Sequence, residues 1–295
     1  MSNEDFQTAT QIATYIRQKI TTSPKIGIIC GSGLGSIVDA VLQQEVLAYK
    51  DIPGFSLATG KSLSLYTTNI LSLVVGHAGN LVFGTICDKP VVVMQGRFHQ
   101  YEGYNSRQIA LPIRVMRLLG VEILLISNAA GGLNPKFSVG DFVVITDHIS
   151  LSGMTGNNVL IGPNDERFGP RFPATSDAYC PILVKLIHEV ARDEALSHRV
   201  HNGTYFHIGG PTYATDAETK MMILLGGDVV GMSTVPEVHA ARHCGMRVFA
   251  ISLVTDLCNP SVKTSNVLTH EEVMKAATAN ANDLKVLFVG MIQRM

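Results

Sequence analysis

Eight short runs of mainly apolar residues recur along the chain, and most are continuous instead of alternating with polar residues. Continuous runs of this length are typical of central strands that helices cover on both faces. The predicted strands are Lys25–Cys30, Ile70–Val75, Val91–Gln95, Ile123–Asn128, Asp141–Thr146, Thr204–Ile208, Val229–Met232 and Arg247–Thr255.

Between several of these runs, apolar residues lie three and four positions apart, which is the spacing of one face of a helix. The predicted helices are Phe6–Ile20, Asn105–Leu119, Tyr179–Leu196, Thr215–Leu225, Thr234–Cys244 and Thr269–Ile292. Three of them begin with the Thr-x-x-Glu pattern of a capping box, at Thr215, Thr234 and Thr269. No linker interrupts the alternation, so we predict one α/β domain over residues 1–295. The segment Ile149–Ser176 has no period and is long for a loop, which favours a functional role.

The composition narrows the classes of partner. Only 16% of residues are charged, against a typical value of ~25%. Such a chain hides much of its surface in a doubly covered sheet or between subunits. Lys and Arg number 23, Asp and Glu number 24, and the net charge of -1 argues against a nucleic acid or an anionic membrane as partner.

The N-terminal residues, the lengths of the apolar runs and the spacing of the cysteines indicate the same cellular compartment. No apolar run approaches the ~18 residues of a membrane span, and Met1–Gln7 carries acids and no apolar stretch. The five cysteines are widely spaced and include no C-x-x-C pair. We therefore expect reduced thiols and a cytoplasmic location.

Glycine-rich or basic loops follow several predicted strands. Gly31–Gly35 (GSGLG) follows the first strand and precedes a helical pattern, although its third glycine falls one residue early for a dinucleotide-binding loop. Asn128–Gly132 (NAAGG) closes a second strand, where we expect a sharp turn with free backbone donors. Each of these two loops is interpreted either as an anion site or as a plain tight turn.

Two further strand ends carry stronger signals. In Gln95–Gly103, Arg97 offers a bidentate fork and His99 a hydrogen bond or a proton shuttle, which favours an anion site over a solvated turn. Ser233 precedes a predicted helix N-terminus, which favours an anion site over a simple helix cap. A metal site is not expected, because His239 and His243 lack a zinc-protease pattern and a third ligand. The residues alone therefore indicate an α/β protein whose loops grip one anion such as phosphate.

Taken together, several strings resemble the trimeric purine nucleoside phosphorylase family, in order and over nearly the whole chain. They are Gly31–Gly35, Gly76–Gly79, Met94–Tyr104, Asn128–Pro135, Gly162–Tyr179 and Gly231–Asp256. The resemblance implies a central mixed β-sheet flanked by helices, the nucleoside phosphorylase type I fold. It also implies phosphate-dependent cleavage of the N-glycosidic bond of (deoxy)ribonucleosides to free base and (deoxy)ribose 1-phosphate, in purine salvage. Phosphate would be a co-substrate, no cofactor would be needed, and the chain would form a homotrimer with active sites near the subunit interfaces.

The resemblance also implies residue roles. Phosphate would be bound by Ser32, Arg97, His99, Asn128, Ala129 and Ser233. Ribose would be held by Tyr101, Met232 and His270, and by Phe172 from a neighbouring subunit, with His77 in a loop that closes over the sugar. The base would contact Tyr213, Ala214, Val230 and Asp256. The catalytic residues would be His99, Asp256 and His270.

Two base-pocket positions depart from the family pattern. The family's glutamate is Ala214 here, and its asparagine is Asp256. An ionised Asp256 repels a bare N7 lone pair and accepts from an exocyclic amine, whereas a protonated Asp256 donates to N7. Burial and a nearby phosphate are expected to raise the pKa of Asp256. We therefore expect a base preference that is broadened or shifted toward adenosine, with cytidine as a further candidate.

Two alternatives stay open from the sequence. The related methylthioadenosine phosphorylases carry an aspartate and a small residue at these two positions, which makes 5′-methylthioadenosine a candidate substrate. However, His270 and Ser233 follow the nucleoside enzymes, and a histidine there favours a 5′-hydroxyl group. The second alternative is a catalytically weak nucleoside-binding paralogue that keeps the fold and the phosphate loops.

Overall fold

A computed structural model describes residues 3–55, 78–258 and 269–295. Its helices are α1 (Asn3–Arg17), α2 (Ser106–Leu119), α3 (Pro181–Asp193), α4 (Asp216–Leu224), α5 (Val235–His243) and α6 (His270–Arg294). Its strands are β1 (Ile26–Ile29), β2 (Leu42–Ala48), β3 (Asn80–Ile86), β4 (Lys89–Gln95), β5 (Ile123–Gly132), β6 (Phe142–Ser150), β7 (Val200–His207), β8 (Val229–Gly231) and β9 (Arg247–Leu257). Each of the six predicted helices is present within a few residues of its predicted bounds.

The described strands form one mixed sheet in the order β2-β3-β4-β1-β5-β8-β7-β6-β9. A further pairing of β5 with β9 closes the last five strands of that order into a ring. The strands β4, β1, β5 and β9 run parallel to one another, whereas β3 against β4 and β5 against β8 are antiparallel. The expected α/β fold with a mixed central sheet is therefore confirmed.

Helices cover the two faces of this sheet. One large apolar core is shared by α1, α2 and α5, and a second is shared by α3 and α6. A smaller cluster beneath α4 joins Met222 to Phe206 and Val230. Among the described residues, no helix combines the length and the apolar character needed to cross a membrane.

Two strands were absent from the sequence prediction. β2 is an edge strand with mostly exposed residues, and its LQQEVLA sequence contains no apolar run. β3 runs unbroken through Gly84, whose φ of 155° and close approach to the backbone of Leu42 leave no room for a Cβ. Edge position and a central glycine both weaken the pattern that identifies a strand. The predicted strand Ile70–Val75 lies outside the described residues.

Three local predictions are corrected. Asn128–Gly132 is not a turn, because β5 continues to Gly132 and pairs with β9. The segment after the Gly31 loop forms only a short 3-10 helix, Gly35–Ala40, before β2 begins. The capping boxes at Thr215 and Thr269 are confirmed, but the Thr234 side chain caps nothing and instead accepts from Asn128 Nδ2 at 3.0 Å.

Candidate active site

A cavity of about 280 Å³ lies where the parallel strands β1, β4, β5 and β9 end, and α4, α6 and β8 complete its wall. Carboxyl ends of parallel strands are the usual location of ligand crevices in α/β proteins. Twelve of the predicted site residues line it: Ser32, Arg97, His99, Tyr101, Ala129, Tyr213, Ala214, Val230, Met232, Ser233, Asp256 and His270. The fold thus gathers residues that are up to 238 positions apart in the chain.

The cationic part of the cavity centres on Arg97, which lies two residues after the end of β4 and is 1% exposed. Its Nη1 donates to Ser233 Oγ at 2.8 Å, and its Nε lies 3.1 Å from Glu237 Oε1. The Ser233 backbone N–H donates to the Tyr205 hydroxyl at 3.3 Å. A guanidinium and a hydroxyl that face one cavity next to a helix N-terminus are suited to an oxyanion.

His99 is held in one orientation by Glu102. Its Nδ1 lies 2.7 Å from Glu102 Oε1, and its backbone N–H donates to the same oxygen at 3.0 Å. Because a carboxylate only accepts, we assign the proton to Nδ1, which leaves a lone pair on Nε2. Burial, together with the positive charge of Arg97, lowers the pKa of His99 to about 3. His99 is therefore neutral at physiological pH and stacks on Tyr101 at 4.5 Å between ring centroids.

Asp256 near the end of β9 is the acidic group of the candidate base pocket. Its Oδ1 accepts from Thr255 Oγ1 at 3.0 Å, and its Oδ2 accepts from Cys258 Sγ at 3.6 Å. Burial raises the pKa of Asp256, the expected direction, although the Thr255 and Cys258 donors oppose the shift. A Cβ on Gly131 would lie 2.6 Å from Cys258 Sγ and 3.1 Å from Asp256 Oδ2, so glycine is required for this packing.

Asn128 and Phe172 do not line the cavity. Asn128 is 1% exposed and lies behind the wall, where its side chain supports Thr234. Its assignment to the phosphate site stays a prediction. Phe172 is 87% exposed and lies outside the cavity of its own chain, so its contribution to a neighbouring subunit stays a prediction. His77 lies outside the described residues.

Sequence analysis missed several lining residues. Asp216 and Thr219 reach the cavity from the first turns of α4, Cys258 reaches it from the position just after β9, and Val273 reaches it from α6. The signal for Asp216 was its position directly after the capping residue Thr215, next to the altered Ala214. With Asp216 the cavity wall carries a second carboxylate in addition to Asp256, so it is more acidic than the motifs indicated.

The histidines of α5 are explained by protein contacts. His239 Nε2 lies 3.2 Å from His148 Nε2, and His243 Nε2 lies 3.0 Å from Asn164 Oδ1. Burial lowers the pKa of both His239 and His243. Across the three described ranges, no group of three or more side chains is arranged to hold a metal ion.

Comparison with known proteins adds the family context. Residues 25–293 match the model of the phosphorylase superfamily. Purine nucleoside phosphorylase of Bos taurus is 45% identical over 283 residues, which are 96% of this chain and 92% of that protein. Purine nucleoside phosphorylase 1 of Geobacillus stearothermophilus is 46% identical over 265 residues, which are 90% of this chain and 89% of that protein.

Solved structures give the same result. Schistosoma mansoni purine nucleoside phosphorylase in complex with adenosine superposes with a TM-score of 0.90 at 46% identity, covering 98% of this chain and 97% of that chain. Isoform 2 from the same organism, in complex with cytosine and ribose-1-phosphate, superposes with a TM-score of 0.89 at 45% identity, covering 98% and 96%.

Proposed function

The chain belongs to the phosphorylase superfamily and, within it, to the purine nucleoside phosphorylases, and from this premise we propose that it cleaves nucleosides with inorganic phosphate. Phosphate attacks the anomeric carbon, the N-glycosidic bond breaks, and free base and (deoxy)ribose 1-phosphate leave. One observation carries the proposal: the Arg97–Ser233 pair and Asp256 line the same cavity. One cavity therefore offers a place for phosphate and a place for a base, which supports a reaction between phosphate and a nucleoside.

The phosphate is proposed to sit against Arg97, Ser233, Ser32 and His99. Arg97 supplies positive charge, and the Ser233 and Ser32 hydroxyls supply donors. Neutral His99 offers its Nε2 lone pair to the hydroxyl of hydrogen phosphate. Holding phosphate near the anomeric carbon removes an entropy cost in advance, which lowers the barrier by about 7 kcal/mol for well-oriented groups.

Ribose is proposed to lie between the phosphate and the base. Tyr101, Met232 and His270 line the cavity and are assigned to the sugar. His270 is the first residue of α6 and is assigned to the 5′-hydroxyl group. Phe172 of a neighbouring subunit completes the sugar site in the proposed homotrimer. The Phe172 side chain is 87% exposed in its own chain, which supports a contact with a second subunit.

The base is proposed to contact Tyr213, Ala214, Val230 and Asp256, with a preference broadened toward amino-bearing bases. An ionised Asp256 accepts a hydrogen bond from an exocyclic amine, and Ala214 removes the acceptor that a 6-oxopurine would use. Related enzymes have been solved with adenosine and, in isoform 2, with cytosine. Protonated Asp256 donates instead to N7 of the leaving purine, where one aimed donor stabilises developing charge by ~2.7–4 kcal/mol.

Several coarser features complete the proposal. Transfer of a pentosyl group from nitrogen to a phosphate oxygen needs no redox or Lewis-acid step, so we propose phosphate as a co-substrate and no cofactor. We propose one domain over residues 1–295.

The five cysteines are free thiols, which supports a reducing, cytoplasmic compartment.

Release of free base from a substrate panel tests the proposal. The panel is inosine, guanosine, adenosine, cytidine and 5′-methylthioadenosine, each with and without inorganic phosphate. We expect phosphate-dependent release from the nucleosides, with adenosine well represented beside inosine. Release from no member contradicts phosphorolysis and favours a nucleoside-binding paralogue. A strict inosine and guanosine profile contradicts the shifted preference, and dominance of 5′-methylthioadenosine favours the methylthioadenosine phosphorylase alternative.

A further inference from the structure

Glu237 is a buried carboxylate that the proposed reaction does not use. It is the third residue of α5, is 3% exposed, and has no place among the residues that line the cavity. Burying a carboxylate is costly unless it is paired, so its retention here calls for a specific partner. That partner is Arg97, whose Nε lies 3.1 Å from Glu237 Oε1.

The same carboxylate also contacts the turn that carries Ser233. Burial raises the pKa of the Glu237 carboxyl group, against the smaller lowering effect of a backbone hydrogen bond from Thr234. Thr234 has φ 70° and ψ -56°, an uncommon conformation for a β-branched residue that surrounding contacts must hold. Glu237 therefore connects the two halves of the candidate phosphate site, the guanidinium after β4 and the turn between β8 and α5.

This contact sets the direction in which the guanidinium of Arg97 faces. The Nε edge of Arg97 faces Glu237, whereas its Nη1 reaches Ser233 Oγ at 2.8 Å. A planar guanidinium that is fixed along one edge presents its other donors in a defined direction. A long side chain without that fixed edge would have to be ordered each time an anion binds, which weakens binding.

We propose that Glu237 is a positioning residue that aims Arg97 and the Ser233–Thr234 turn at inorganic phosphate. Glu237 does not touch the substrate and acts through these two neighbours. The proposal deepens the proposed function and rests on it for the identity of the anion. It requires the carboxylate oxygen to be at its observed distance, and it does not require the negative charge as such.

Two conservative variants separate the effect of the position of the Glu237 oxygen from the effect of its negative charge. Glu237→Gln keeps the side-chain length and an acceptor oxygen but removes the charge. Glu237→Asp keeps the charge but withdraws the oxygen by about one carbon–carbon bond, ~1.5 Å. The matched control is Glu122→Asp, because Glu122 is an exposed carboxylate that pairs with Lys25 at 2.7 Å and lies just before the N-terminal end of β5, whereas the cavity residue Ala129 lies near the other end of that strand.

The measurements are kcat/KM for phosphate at saturating nucleoside, KM for nucleoside, and the melting temperature of each variant. We expect Glu237→Asp to lower kcat/KM for phosphate by about tenfold or more, the value of a hydrogen bond to a charged group. We expect Glu237→Gln to change it by less than about threefold, and Glu122→Asp to leave it unchanged. KM for nucleoside stays within about twofold in all three variants.

A double variant provides a second test of the contact with Arg97. Lysine has no Nε edge for Glu237 to hold, so in an Arg97→Lys background Glu237→Asp is expected to add a smaller loss than in the wild type, the part that acts through the Ser233–Thr234 turn. Full additivity of the two losses overturns the proposal. A larger loss of kcat/KM for phosphate in Glu237→Gln than in Glu237→Asp overturns the proposal, because Glu237 then acts through its negative charge and not through the position of its oxygen. Equal loss of melting temperature with unchanged phosphate kinetics overturns it in favour of a structural role.

Equilibrium binding of inorganic phosphate, measured by titration calorimetry, separates this proposal from the proposed function. A wild-type protein that binds phosphate and cleaves no nucleoside refutes the proposed function, and the ratio of dissociation constants for Glu237→Asp and Glu237→Gln still decides the role of Glu237. A wild-type protein that binds no phosphate overturns both.

Discussion

Replacing Asp256 by asparagine tests whether one carboxylate sets the base preference. Asp256 lines the cavity at the end of β9, where Thr255 and Cys258 each donate to one of its oxygens. Asparagine has nearly the same shape, and its amide both accepts and donates. The substitution therefore removes the charge while the packing against Gly131 is kept.

The magnitude follows from the two kinds of hydrogen bond. A bond to a charged acceptor contributes ~1.5–3 kcal/mol and a neutral one ~0.5–1.5, so an amino-bearing base loses about 1–1.5 kcal/mol. A new neutral donor to N7, worth about 1 kcal/mol, is available to both purines and cancels from their ratio. At ~1.4 kcal/mol for each factor of ten, the ratio of kcat/KM for adenosine to that for inosine is expected to fall about tenfold.

The assay is steady-state phosphorolysis of adenosine and inosine at several pH values. Burial raises the pKa of Asp256 above its ordinary value, so its ionised fraction grows as pH rises through that raised pKa. The wild-type ratio of adenosine to inosine is therefore expected to rise with pH, and the ratio for Asp256→Asn is expected to be independent of pH. Ala214→Glu combined with Asp256→Asn is expected to raise 6-oxopurine turnover further.

A ratio that stays within twofold of wild type at every pH would refute this reasoning. It would mean that Asp256 is protonated throughout and already acts as the N7 donor, which asparagine reproduces. Failure of the double variant to raise inosine turnover would mean that positions 214 and 256 do not determine specificity.

Three further predictions concern phosphate, pH and the second carboxylate. Ser233→Ala removes the hydroxyl that accepts from Arg97 at 2.8 Å. We expect KM for phosphate to rise about fivefold or more, the value of one hydrogen bond, while KM for nucleoside stays unchanged. Equal changes in both KM values would contradict a role of Ser233 in phosphate binding. Burial lowers the pKa of His207 to about 3, so the folded state loses stability as pH falls below the unfolded-state pKa near 6.5. Wild type should therefore lose about 2 kcal/mol more than His207→Asn between pH 7 and pH 5 in urea unfolding, and parallel losses would count against the linkage. Asp216→Asn should lower kcat/KM for adenosine more than for inosine, and an unchanged ratio would place Asp216 outside base recognition.

The sequence determined the fold class and the position of most site residues along the chain. Buried strands and amphipathic helices have different periods, so the α/β alternation was visible without any tertiary information. Arg97, His99 and Ser233 were found because each lies just beyond an apolar run, where a strand end exposes a loop. The departures at Ala214 and Asp256 were likewise visible from the residues themselves.

Only the tertiary structure decided which of these residues face one cavity and what supports them. Asn128 points behind the wall, and Asp216 points into it, although local sequence pattern distinguishes neither direction. The pairing of β5 with both β8 and β9 turns Asn128–Gly132 into a strand, and such pairing depends on residues about 100 positions away. The Arg97–Glu237 contact joins two segments 140 positions apart, and its energy depends on a burial that periodicity does not encode. Local pattern determines elements, whereas long-range packing determines the environment of each charge, and that environment sets the chemistry of the cavity.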